Sequence, residues 1–139
     1  MKKTLLLFIG LLFLAFPSRA AYLLIPMDNT QTNHLKAYGV AYFVLQREVE
    51  ISWLLNYKGG SYLIPYHEMF ERECKRRNVS YQVIADAQAD AILAQIADPG
   101  VNMDEMKLQK VPKVAVYAPK NSLPWDDAVT LVLTYAEIP

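Results

Sequence analysis

The chain has 139 residues, with 14 basic and 14 acidic side chains and 53% hydrophobic residues. This composition argues for a packed domain rather than a disordered chain, and the neutral charge argues against the basic surface that nucleic-acid binding needs. Cys74 is the single cysteine, so no internal disulfide can form.

Residues 1–20 read as a secretory signal peptide. Lys2 and Lys3 give a positive start, residues 4–16 form an apolar run, Pro17 breaks it, and Ser18-Arg19-Ala20 supplies small residues at a cleavage site. The competing reading is an N-terminal membrane anchor, but the run is shorter than the roughly 20 residues a spanning helix needs. Cleavage after Ala20 predicts a periplasmic or secreted protein with no stable membrane insertion. No cysteine follows the apolar run, which argues against a lipoprotein.

The mature chain alternates between strand and helix patterns. Residues 22–26 are wholly apolar, as in a strand buried on both faces. Turn residues Asp28, Asn29 and Thr30 follow and can cap a helix over residues 30–46, with Leu35, Tyr38, Tyr42 and Leu45 as its apolar stripe. Gly39 lowers helix propensity and would let a neighbouring element approach closely. Residues 49–57 predict a second buried strand, followed by the loop Lys58-Gly59-Gly60-Ser61. Residues 62–65 are either an edge strand or the entry to the next helix.

Residues 66–78 predict a charged helix, acidic first and basic last, as the helix dipole favours, with Asn78 as a left-handed cap. A third strand over 79–84 and a helix over 86–97 follow. Residues 101–111 read as a connector. Residues 113–117 predict another strand, and Pro124, Asp126 and Asp127 mark the start of a last helix. The alternation predicts an α/β fold with a mostly parallel sheet. Its expected divisions are a signal peptide (1–20), an α/β module (21–100), the connector (101–111) and the start of a second α/β unit (112–139). A closing strand after the last helix is missing from that second unit, so the chain is expected to be a fragment of a longer protein.

In an open parallel sheet, ligands bind beyond the carboxyl ends of the strands. The candidate ligand-binding residues there are Asp28, Asn29, Gln31, Asn33 and His34 in the first loop, and Asn56, Lys58, Gly59, Gly60 and Ser61 in the second. Lys120, Asn121 and Ser122 form a third loop. This set suits a polar small molecule such as a sugar, an amino acid or a phosphate ester. Each piece also has a plain structural reading: Asp-Asn-Thr as a helix cap, and Lys-Gly-Gly-Ser as turn chemistry rather than an anion-binding nest. Cys74 reads as a buried structural thiol, although Lys75, Arg76 and Arg77 could lower its pKa. His34 and His67, the only histidines, complete no metal motif, and no P-loop, nucleophile elbow or dinucleotide fingerprint is present. No cofactor or metal is expected, and no catalytic residue can be assigned.

The stretches LIPMDNTQTNHLKAYGVAYFVL, WLLNYKGGSYLI and KVAVYAPKNSLPWDDAVTLVL resemble a family of exported Bacteroidetes proteins that carry the label asparagine synthetase B. The resemblance covers essentially the whole mature chain. Members of that family are longer, which again implies a fragment. From Lys113 onward the chain resembles the opening of a class I amidotransferase-like, flavodoxin-like domain. The label implies an N-terminal cysteine that releases ammonia from glutamine, and an SGGxDS loop that binds pyrophosphate. Here Ala21 would be the mature N-terminus, and Lys58-Gly59-Gly60-Ser61 lacks the leading serine and following aspartate. Two readings follow: a binding or structural module without catalysis in this stretch, or an amidotransferase-like enzyme. The second requires an activated cysteine, either Cys74 or one in the expected missing C-terminal part; a cleft with Cys74 beside His34 or His67 would favour it.

Overall fold

The computed structural model describes residues 22–117 and 127–139. The expected signal peptide and the third polar loop (Lys120, Asn121, Ser122) lie outside them, as do Pro124 and Asp126. The described elements are β1 (Tyr22–Ile25), α1 (His34–Leu45), β2 (Ile51–Leu55), β3 (Ser61–Pro65), α2 (Glu68–Arg76), β4 (Gln82–Ile84), α3 (Asp86–Ile96), β5 (Asp104–Leu108) and α4 (Ala128–Ala136).

The sheet is not parallel. Its strand order is β4-β1-β3-β2-β5, and every neighbouring pair is antiparallel. The mostly parallel, flavodoxin-like expectation is therefore wrong, and the reason lies in the loop at 56–60. A parallel neighbour needs a long crossover, whereas a short glycine-containing loop between two strands makes a hairpin. Residues 61–65 are the return strand of that hairpin. β1 and β2 do run in the same direction through the crossover helix α1, but β3 is inserted between them. The order of elements through β4 is βαββαβ, the split βαβ arrangement of ferredoxin-like folds. β5 falls within the stretch read as a connector and adds to the outer edge of β2. Residues 113–117, expected to form a strand, pair with no strand among the described residues.

Both faces of the sheet are covered, which explains why β1 and β3 are continuous apolar runs. On one face Leu23, Ile25, Ile51, Tyr62 and Ile64 pack beneath α1 and α2, with Val40, Val44, Phe70 and Cys74 from the helices. On the other, Leu24, Leu54 and Leu63 meet Ala89 and Ile96 of α3. The period-two alternation of strand side chains sorts these residues.

The buried face of α1 differs from the expected stripe. Ala37, Val40, Ala41 and Val44 face the sheet, while Leu35 and Tyr38 are 38% and 47% exposed. A helix lying close on a sheet favours small and β-branched contacts, so the larger residues turn sideways. Asn33 caps α1 through its side chain, and His67 caps α2 by accepting from the Met69 N–H (3.1 Å). Asn78 takes the left-handed conformation (φ 55°) just after α2.

Two carboxylates tie α2 to its surroundings. Glu71 accepts from the hydroxyls of Tyr66 and Tyr81 (2.9 Å each) and pairs with Lys75 (2.6 Å). These contacts, Lys75 foremost, hold its pKa at about 2. Glu137, just past α4, is also held at about 2, by Arg76 first and then Lys36. Both pKa values lie below the ordinary 4.5. The stability these groups contribute is therefore complete above pH 4.5 and is lost as pH falls toward about 2. Thermal melts at stepped pH should show the melting temperature dropping through that window, and Glu71→Gln should flatten part of the slope. A melting temperature that stays level across the window would refute the assignment.

Candidate functional site

Because β1 and β2 run in the same direction, the loops that follow them share one edge of the sheet. The Met27 N–H donates to the Lys58 carbonyl (2.9 Å). Gly59 makes this approach possible: its φ is +78°, and a Cβ there would lie 2.5 Å from the Met27 carbonyl oxygen. Asn56, Lys58 and Gly60 also have positive φ, so every residue of the loop but Tyr57 has positive φ.

The edge gathers Asp28, His34, Lys58 and Gly59. The Asp28 carboxylate accepts from the Thr30 N–H (2.9 Å) and hydroxyl (2.5 Å). The Thr30 hydroxyl is the largest cause of its lowered pKa, and the charge of Lys58 lowers it further. His34 Nε2 lies 3.2 Å and 3.1 Å from the carbonyl oxygens of Met27 and Asp28. Two acceptors face that nitrogen, so it carries the proton and serves as a donor.

The other candidates point elsewhere. Gln31 is buried and donates to the carbonyls of Pro26 (2.8 Å) and Ser80 (3.2 Å). Its oxygen accepts from the N–H groups of Ser80 (2.8 Å) and Asn33 (3.3 Å). It fastens the β1–α1 segment to the chain entering β4. Asn33 caps α1 and donates to the Tyr135 hydroxyl (2.6 Å). Asn56 donates to the Asn102 carbonyl (2.8 Å). Ser61 is fully buried and donates to the Tyr57 carbonyl (2.7 Å). Asn29 is exposed. The two loops do meet, but most of their polar groups hold the turns together.

Cys74 lies in the core with no exposed surface. Burial pushes its thiol up to about 12, and the nearby carboxylates of Glu73 and Glu71 add to the shift. The basic neighbours expected to activate it do not offset that burial. Neither histidine is recorded in contact with it: His34 faces the β1 loop, and His67 caps α2 and packs against Phe70 (5.6 Å between rings). No group of three or more potential metal-ligating side chains occurs among the described residues. No helix among them is long and apolar enough to cross a membrane.

Sequence reasoning missed two features. The first is an ionic clamp. Arg77, with its side chain only 4% exposed, donates to Glu73 (2.7 Å) and to the Ala136 carbonyl (2.8 Å), and lies 3.2 Å from Glu137. Arg76 and Lys36 reach Glu137 from either side. The spacing of Glu73 to Arg76 and Arg77 is legible as helix pairs, but the partner on α4 is remote in sequence.

The second is a cleft beside α1. β5 carries the sheet past the helix layer, leaving Met106 48% exposed. Tyr38, Tyr42 and Leu45 form one wall of a cleft of about 390 Å³, with Tyr62 and Leu108 opposite and Lys110 and Pro112 above. Tyr38 meets Tyr62 edge-on at 6.1 Å. A second cleft of about 510 Å³ shares Leu45 and Lys110 and adds Gln46, Glu48, Gln109 and Val111. The signal for the first cleft was Tyr38, Tyr42 and Leu45 within the apolar stripe of that helix.

No family model, curated protein or solved structure matches this chain.

Proposed function

We propose that this chain is a binding module of a protein exported to the periplasm or secreted, with no catalysis in the described residues. The observation that carries this reading is the state of Cys74. An amidotransferase mechanism needs an accessible thiolate beside a base. Here the thiol is sealed in the core and held protonated by burial. The polar loops contribute further support, because their side chains mostly stabilise turns and caps rather than converge as a nucleophile and base.

The test is direct. The full chain is incubated with glutamine and ammonia is measured, alongside Cys74→Ala. Release at the level of the buffer blank is expected from both proteins. In parallel, a thiol reagent should modify Cys74 only in denaturant, since modification requires opening of the core. Ammonia release that Cys74→Ala abolishes would overturn the reading.

A further inference from the structure

We propose that the clefts between α1 and β5 bind a free α-amino acid with an apolar or aromatic side chain. This inference rests on reading the chain as a binding module and supplies its ligand class. The two clefts differ in polarity. At one end, Tyr38, Tyr42, Tyr62 and Leu108 line a space of about 390 Å³, within the range of small-molecule sites and mostly apolar. At the other end the adjoining space contains Glu48 and Lys110, which carry opposite charges. Leu45 and Lys110 line both spaces.

Those two charges are what select the ligand. Among the described residues neither Glu48 nor Lys110 takes part in an ion pair, whereas Glu71, Glu73, Glu105 and Glu137 all do. Gln109, beside them, donates to Glu50 (3.0 Å) and so is already engaged. Glu48 is also held in the left-handed region at the end of α1 (φ 58°). A simple carboxylate would satisfy only Lys110, and an amine only Glu48. A zwitterion satisfies both, with its carboxylate on Lys110 and its ammonium on Glu48, while its side chain enters the tyrosine-lined end. Tyrosine faces suit an aromatic or branched apolar group.

The probe is L-phenylalanine, titrated into the full chain by calorimetry. Binding with a dissociation constant of about 1 mM or tighter is expected for an open cleft of this size. Lys110→Met and Glu48→Gln should each weaken it about tenfold, since each removes a charge-assisted contact. Both positions are exposed, so folding should be unaffected, and thermal melts check this. N-acetyl-L-phenylalanine lacks the ammonium and L-phenylalaninamide lacks the carboxylate; each should bind about tenfold more weakly than the free amino acid. The proposal is overturned if L-phenylalanine does not bind, if either charge-removing variant binds it unchanged, or if the N-acetyl compound binds equally well. That last result would assign the cleft to peptide carboxyl termini. Absence of binding together with absence of glutamine hydrolysis defeats this inference and leaves the binding-module reading standing.

Discussion

Arg77→Ala is expected to lower the unfolding free energy by about 3 kcal/mol and to loosen α4 from the rest of the protein. The Arg77 guanidinium bridges Glu73 on its own helix and the last turn of α4, and it lies 5.7 Å from the Phe43 ring. Removing one partner of a buried pair costs roughly 3–5 kcal/mol, because the remaining charge loses its compensation. The lower end applies here, since Glu73 keeps Arg76 (2.7 Å). The Ala136 carbonyl also loses its donor, which alone costs about 1–3 kcal/mol when the group stays buried. Arg77→Lys should recover only part of the loss, because an ammonium cannot reproduce the planar fork. Urea unfolding gives the magnitude, and hydrogen exchange at residues 128–136 gives the location. A loss below about 1 kcal/mol would place Arg77 among ordinary surface pairs instead.

Gly39→Ala is expected to destabilise by about 2 kcal/mol, although alanine is the better helix former by about 1 kcal/mol. A Cβ at position 39 would sit 1.8 Å from the Ala136 carbonyl oxygen and 2.5 Å from Arg77 Nη1. No local adjustment absorbs an overlap with backbone of that size. Either α4 withdraws or α1 shifts on the sheet, and moving α4 disturbs less of the core. Exchange protection should therefore fall in α4 while β1 and β3 stay protected. The Arg77→Ala and Gly39→Ala changes remove the same contact, so the double variant should lose less than the sum of the two. Additive losses would mean that the two residues act separately, and a Gly39→Ala protein as stable as the parent would show that α4 does not dock there.

Gly39 illustrates how far single-residue reasoning reaches. A glycine in mid-helix permits close approach, and that much is legible in the sequence. It did not say that the neighbour is a carbonyl nearly a hundred residues later. The loop at 56–60 carries the opposite lesson. Its short length and paired glycines are hairpin chemistry, legible without any structure. The α/β alternation around it points to parallel strands instead, and residues 62–65 read equally as an edge strand or a helix entry. Resolving that one segment as a strand replaces a parallel sheet with an antiparallel one.

The candidate site was only partly legible for a related reason. The polar residues of both loops were identified, and Asp28, His34, Lys58 and Gly59 do come together. What a side chain does there depends on which backbone groups it finds. Gln31 finds the chain entering β4, and Asn33 finds α4. Such partners lie tens of residues away, so composition and spacing cannot separate a ligand contact from a structural one.

The sequence by itself determined the positions of most helices and strands, the two-faced burial of β1, the cap at Asn78, and the inability of Cys74 to form an internal disulfide. These follow from local periodicity, dihedral preference and composition, which act over a few residues. Only the tertiary structure decided the strand order, the cap of α1 at Asn33 in place of Asp28, Asn29 or Thr30, the clamp on α4 and the cleft beside α1. Each of these depends on which distant surfaces meet, and hydrophobic burial has no directionality that would reveal its partner in a linear sequence.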